Sequence, residues 1–319
     1  MFISLIFSKL NSKNTHMLRD KVIEFYVEMD DFYKDFAQQI KNYPLLENPG
    51  AKKRNRKGRL SDAEMMSIYL LFHFGGFTNF KHFYKHYVGV HLLDLFPDLI
   101  SYERFNARQE RIVLPLLLYL KYRGLGKSRG INYIDATLLP VCHIKREHQH
   151  KVFKGLARKG KSTMGWFFGF KLHLIINDKG ELLSFYLTPG NVDERNREVM
   201  AAMTKDIFGK LFADRGYVSQ PLADLLFADG IQLITKVKKN MKKQNLSDVD
   251  AILLRKRAVI ESVNDELKNI CKIEHTRHRS PKGFLVNLLA GLTAYCFLPK
   301  KPSLNITPIE DNQLSLWAA

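Results

Sequence analysis

Ile131-Asn132-Tyr133-Ile134-Asp135-Ala136-Thr137 and Leu211-Phe212-Ala213-Asp214-Arg215-Gly216-Tyr217 decide how this chain is to be read. Each is an apolar, strand-like run that stops at an aspartate. In open α/β sheets, ligands collect outside the ends of the strands. The spacing predicts Asp135 at the end of the sheet's first strand and Asp214 at the end of its fourth, just before the turn at Gly216. One aspartate in such a place is an ordinary turn or cap residue. Two of them, each after a buried run and neither with a cap role, point to one site. Arg257-Ala258-Val259-Ile260-Glu261 adds a third acid on a helical pattern. At about 100° per residue, Arg257, Glu261 and Lys268 fall within about 40° of one another on a helix. That face presents one carboxylate and two cations. Asp265, one turn beyond Glu261, is the rival third acid. Three carboxylates gathered at a sheet's end suit hard divalent cations.

Outward from these runs, the second part of the chain alternates strands and helices. Strands are predicted at Ile131–Ala136, Trp166–Ile176, Leu182–Leu187, Leu211–Ala213 and Ile231–Val237. Helices are predicted at Glu194–Phe208, Ser219–Ala228 and Leu253–Lys268. Three strands followed by strand–helix crossovers imply a mixed sheet flanked by helices. The apolar run Gly283–Leu298 falls short of the roughly 20 residues of a spanning helix and is predicted as a buried core helix; no membrane is implied.

The first part reads as helical. Leu18–Tyr43 carries no turn signals. Six basic residues crowd Lys52–Arg59. Ser61-Asp62-Ala63-Glu64 has the form of a capping box opening a helix that stops at Gly75-Gly76. Asn79 caps the next, whose Phe80, Phe83, Tyr84 and Tyr87 form a core stripe. Ser101 caps a third, on which Arg104, Arg108 and Arg111 share a face beside Asn106 and Gln109. Arg and Asn/Gln on one helix face are the side chains that read base edges in the DNA major groove, although a solvated basic face has the same composition. Pro115 is expected to kink or restart this helix. Gly124, Gly126 and Gly130 mark a boundary. The division predicted is a helical DNA-binding domain over 1–125, a catalytic domain over 126–299 and a loosely ordered tail over 300–319.

The chain has 319 residues, 45% of them hydrophobic, and a formal net charge of +18, with an isoelectric point near 9.7. That is too apolar for a disordered protein. So large a basic excess favours a polyanionic partner, nucleic acid above all. Cys142, Cys271 and Cys296 are odd in number and widely spaced, as in a reducing cytoplasm without a disulfide framework. The short apolar start, Met1–Phe7, lacks the features of a signal peptide. Cys142, His143, His148 and His150 have an irregular spacing for zinc and sit among Lys145, Arg146 and Lys151, so a basic DNA-facing loop is the expectation.

The intervals of Arg257, Glu261 and Lys268, Arg-x3-Glu-x6-Lys, resemble the Tyr-Arg-Glu-Lys signature of bacterial insertion-sequence transposases of the DDE class. Ile134-Asp135-Ala136-Thr137 resembles the segment around that family's first aspartate, and Ala213-Asp214-Arg215-Gly216-Tyr217 that around its second. The likeness runs over about residues 126–299. The signature's tyrosine falls at Leu254. The interval from Asp214 to Glu261 leaves no room for a large insertion domain.

The resemblance implies a ribonuclease-H-like catalytic domain in which Asp135, Asp214 and Glu261 hold two Mg²⁺ ions, with Mn²⁺ able to substitute. Arg257 and Lys268 would contact phosphates near the scissile bond. Lys236, Lys238 and Lys239, with Lys242 and Lys243, would lie along the DNA, and such a run suits a phosphate backbone in any case. The activity implied is cleavage at the ends of a mobile element and strand transfer to a target. Water would be the first nucleophile and a freed 3′-hydroxyl the second. The partners implied are double-stranded DNA and a second copy in a homodimeric synaptic complex, in the nucleoid-associated bacterial cytoplasm. The alternatives are a metal-dependent nuclease of the same fold without strand transfer, and a catalytically inactive DNA-binding derivative.

Overall fold

In the computed structural model, the described residues are 2–41, 58–163, 165–236, 246–274 and 278–304. Within them the chain forms two compact units, each assembled from separate stretches. One takes the described residues of 1–125, 139–170 and 265–298; the other takes those of 126–138, 171–264 and 299–304. No helix among the described residues is long and apolar enough to cross a membrane.

The first unit is mainly helical. It contains α1 (Phe2–Lys41), α2 (Asp62–Phe74), α3 (Phe80–His82), α4 (Gly89–His91), α5 (Tyr102–Arg108), α6 (Val113–Tyr119) and α11 (Pro281–Cys296). Local chemistry starts and stops these elements. Ser61 Oγ accepts from the Glu64 N–H at 3.1 Å while Glu64 accepts from the Ser61 N–H at 2.6 Å, completing the capping box, and Gly75 ends α2. Asn79 caps α3, and Ser101 caps α5. Residues Phe83–Val88 continue α3 as a π-helical turn that buries Phe83 and Tyr84. Pro115 lies in the first turn of α6, where a missing N–H removes no helical bond. α11 is buried on most sides, as its apolar run predicts. Phe25 of α1 is fully buried and meets the rings of Phe74 and Phe297 edge-on.

The sheet has six strands: β1 (Ile131–Cys142), β2 (Arg158–Ser162), β3 (Gly165–Asn177), β4 (Leu182–Pro189), β5 (Gly209–Ala213) and β6 (Ile231–Thr235). Their order is β2-β3-β1-β5-β6, with β4 also paired to β3. β1 and β5 are parallel, as are β5 and β6, while β2 and β3 are antiparallel. In the second unit, α7 (Arg197–Thr204), α8 (Gln220–Ala228), α9 (Asp248–Arg255) and most of α10 (Ala258–Asn269) accompany the strands. Ile134, Ile175, Met200, Leu211, Tyr217 and Leu226 are core members there. This is the mixed α/β class expected, with helices flanking the sheet.

Two buried details secure the β1–β5 pair. Asn132 donates to the carbonyls of Phe208 and Lys210 at 2.9 and 3.1 Å and accepts from Ser128 Oγ at 3.0 Å. A buried amide so fully paired contributes to a single register. Gly209 has φ of +82°, and a Cβ there would lie 2.6 Å from the Gly130 carbonyl oxygen, so only glycine fits.

Four expectations need correction. β1 does not stop at Asp135 but runs to Cys142, so this aspartate is mid-strand. The single helix predicted over Leu253–Lys268 is two, α9 and α10, broken at Lys256-Arg257. β2 has no counterpart in the apolar pattern, because Arg158-Lys159-Gly160-Lys161-Ser162 is held by pairing to β3 alone. The segment expected as a loose tail begins ordered: the Leu304 N–H donates to the Asp178 carbonyl at 2.8 Å.

Candidate active site

Backbone register sets the first two acids. Ile131, Asn132 and Tyr133 of β1 pair with Lys210, Leu211 and Phe212 of β5. Carried two residues further, that register brings Asp135 level with Asp214, one strand spacing away. Asp214 follows the last residue of β5 and opens a 3₁₀ turn over Arg215–Tyr217. Thr235 ends β6 opposite Ala213, so the same extension sets Lys236 level with Asp214.

Glu261 comes from α10. Ile260, Val263 and Leu267 face inward with no exposure, which fixes the helix's rotation. Arg257, in the break before α10, bridges two acids: its Nη1 lies 3.5 Å from Asp135 Oδ1, and its Nη2 donates to Glu261 Oε1. Asn264, one turn on, donates to Asp135 Oδ2 at 2.9 Å. Asp135 is thus held on both oxygens by residues of one helical segment. Glu261 is the most open of the group, with 58% of its side chain exposed.

A fourth acid, Glu194, belongs here and escapes sequence reasoning. A Cβ on Gly216, in the turn after Asp214, would lie 3.0 Å from Glu194 Oε2. Lys171 of β3, itself buried, reaches Glu194 Oε1 at 3.4 Å and donates to the Val192 carbonyl at 3.1 Å. The only signal near Glu194 is the Pro189-Gly190-Asn191 turn, which announces a loop but not a role. Lys171 and Asn264 left no signal at all.

Burial is the main cause that lifts the Asp135 carboxyl to about 6; Arg257 opposes it, while the charges of Glu194 and Glu261 add to it. The hydroxyl of fully buried Tyr217 is pushed far above its ordinary range, first by burial and then by Glu194 and Asp135. Asp135 and Glu261 share one arginine, and the charges of Glu261 and Glu194 both act on Asp135, so this part of a basic chain is locally acidic.

Among the described residues, no three of His, Cys, Asp or Glu stand close enough together to hold a metal ion. The donor chemistry nevertheless fits a hard divalent cation. All the donors are carboxylate oxygens, and the half-buried Asp135 is short of positive charge even with Arg257 beside it. The Cys142 cluster is dispersed on other work: His143 Nδ1 accepts from the Lys145 N–H at 3.3 Å, His148 pairs with Glu147 at 3.2 Å, and His150 stacks on Phe153.

Several of the remaining predicted residues are engaged in ion pairs of their own. Lys268, in the last turn of α10, pairs with Glu274 at 3.0 Å. Lys236 is exposed, whereas Lys238, Lys239, Lys242 and Lys243 lie outside the described residues. Arg104 is exposed on α5, but the helix ends at Arg108 and Arg111 falls in a 3₁₀ turn. Arg108 and Arg111 both pair with buried Asp62, at 3.2 and 3.0 Å, so two of the three guanidiniums are spent on α2. Leu254, at the signature's tyrosine position, is a buried core residue.

The family described as "Transposase DDE domain" matches residues 125–281. No curated protein matches the chain. Among solved structures, the chain is similar to the piggyBac transposase in a synaptic complex with hairpin DNA. The two are 10% identical, with a TM-score of 0.47, over 86% of this chain and 70% of that one.

Proposed function

We propose that this chain, whose residues 125–281 match the family described as "Transposase DDE domain", is a DDE-class transposase that binds the terminal inverted repeats of its own insertion sequence, cuts the DNA there and joins the freed ends to a target. The observation that carries the reading is the Asp135–Arg257–Glu261 bridge beside Asp214.

Asp135, Asp214 and Glu261 would hold two Mg²⁺ ions, with Mn²⁺ able to replace them. Such ions activate a water and stabilise the leaving oxygen in an in-line displacement at phosphorus. The chain's own residues do the positioning. Asn264 fixes one oxygen of Asp135, so its carboxylate keeps one orientation through both steps. Lys171 does the same for Glu194. Arg257 supplies a guanidinium suited to a phosphate oxygen, and its bond to exposed Glu261 is one it can exchange. In the first step a P–O bond to water forms as the bond to the 3′-oxygen breaks. In the second, that 3′-oxygen attacks a target phosphate and displaces a target 3′-oxygen. Lys236 and Lys268 add phosphate contacts, and Lys238 and Lys239 extend the basic run. Arg104, with Arg108 and Arg111, belongs to the helical unit proposed to read the element's ends. A homodimer holding two ends in the nucleoid-associated bacterial cytoplasm completes the reading.

The test is a pair of oligonucleotide reactions with the purified protein in Mg²⁺: nicking of an intact element end, and joining of a pre-cut end to a plasmid. Both are expected, and Asp135→Asn, Asp214→Asn and Glu261→Gln should each abolish both while DNA binding persists. Nicking without joining would reduce the protein to a nuclease. Full activity in any of the three variants would remove that residue from the site.

A further inference from the structure

The first unit holds a second candidate site, a cavity of about 450 Å³ that no part of the acidic centre touches. Its size is that of a small-ligand site, typically about 300–1,000 Å³. Its floor is aromatic. Tyr69 and Phe80 stack with centroids 4.4 Å apart, Tyr102 lies 6.5 Å from Phe80, and the Lys81 ammonium sits 5.8 Å over the Tyr102 ring. Its wall is made of carboxamides, among them Asn106, Gln109 and Asn287. The buried Tyr69 hydroxyl donates to Gln109 Oε1 at 3.0 Å, which leaves the Nε2 end of that amide as the donor. The amide lies beside Gly283, where a Cβ would come within 3.2 Å of Nε2 and 3.4 Å of Oε1. Lys81 and Arg279 are exposed lining residues, and the charge of Arg279 acts on the Tyr102 hydroxyl. No carboxylate lines the cavity among the described residues.

Each part matches one part of a nucleotide. A flat ring offers a stacking surface to any base. An oriented amide N–H meets a base carbonyl. Two cations in a lining that holds no carboxylate, with Glu103 outside it as the acid that Lys81 acts on, attract a phosphate. An apolar or acidic ligand would leave either the amides or the aromatic floor unused. We propose that this cavity receives a single unpaired nucleotide of the substrate DNA, its base stacked on Tyr102, a base carbonyl on Gln109 Nε2 and its phosphate at Arg279 and Lys81. This rests on the reading of DNA as the substrate, and it adds a place for a nucleotide that has left the duplex.

The experiment measures fluorescence anisotropy of the full-length protein with two duplexes of one sequence, one fully paired and one carrying a single extra thymine. The bulged duplex should bind at least ten-fold tighter. Tyr102→Ala should erase the preference, Tyr102→Trp should keep it, and both should bind the paired duplex within about two-fold of the parent protein. Arg279→Gln, an exposed change, serves if Tyr102→Ala fails to fold; it should lower the salt slope for the bulged duplex alone by about one. An abasic bulge should bind no better than paired DNA. Equal affinity for bulged and paired duplexes overturns the proposal while leaving the transposase reading intact. Loss of all DNA binding would overturn the reading beneath it. Competition by free thymidine monophosphate at equal concentration would overturn the assignment to DNA and make the cavity a free-nucleotide site.

Discussion

Replacing Asp135 by asparagine should make the metal-free protein more stable while removing its chemistry. An ordinary aspartate titrates at 3.8, and burial lifts this one to about 6. The folded state therefore holds the proton more tightly than the unfolded chain, so between those two values folding binds protons. Stability of the parent protein then falls as pH rises through that window. With about two pH units at 1.36 kcal/mol each, the charged carboxylate costs the fold about 3 kcal/mol at pH 7.5, as an upper estimate. Asparagine carries no such charge and can still accept the 2.9 Å bond from Asn264, while Arg257 keeps Glu261. The variant should thus gain about 1–3 kcal/mol at pH 7.5, roughly half of that at pH 5, and almost nothing below pH 4. Urea unfolding of both proteins in chelator-treated buffer at these three pH values measures the difference directly. A variant no more stable than the parent at pH 7.5 would refute the argument. So would a gain that is the same at pH 4 and pH 7.5, since then packing rather than charge would be its source. Saturating Mg²⁺ should narrow the gap by stabilising the parent alone.

Lys171→Met should release Glu194 from its anchor and lower cleavage by about ten- to a hundred-fold with end binding unchanged; unchanged cleavage would remove Glu194 and its lysine from the site. Ser61→Ala removes half of the capping box and should cost about 1 kcal/mol in thermal or urea unfolding, and a loss under a few tenths would mean that packing alone holds α2 in place. Lys236→Ala should flatten the salt dependence of DNA binding by about one logarithmic unit and weaken specific and random DNA alike. An identical slope would leave that lysine facing solvent.

Much of this fold could be read from the sequence because its signals are local. Ser61, Asn79 and Ser101 cap helices through bonds spanning three residues, and a sequence window contains both partners. β5 and β6 announce themselves as buried apolar runs. What escaped depends on distant pairing. β2 is basic rather than apolar and exists only because β3 lies beside it. β1 continues through Pro140, a residue that argues against a strand interior when no partner is known. The break at Lys256-Arg257 carries neither glycine nor proline to mark it. The acids themselves were legible, but their setting was not: Asn264 lies 129 positions from Asp135, and Glu194 meets the Asp214 turn only in three dimensions.

The charge on β2 has a bearing on how the protein behaves in concentrated solution. This strand ends the sheet's path and offers its unpaired backbone groups to any extended chain that approaches. Arg158, Lys159 and Lys161 stand on it, and both lysines lie over the exposed Trp166 ring, at 5.0 and 5.8 Å. A second molecule arriving edge to edge would have to bring its own basic side chains against these, of which Lys159 is partly offset by Glu147 at 3.5 Å. The guard is electrostatic, so its reach is the Debye length, about 10 Å at 0.1 M salt and about 3 Å at 1 M. Strong salt, the usual means of stripping DNA from a basic protein, therefore also lowers the barrier to strand-to-strand association, and turbidity in this protein is expected to rise with ionic strength.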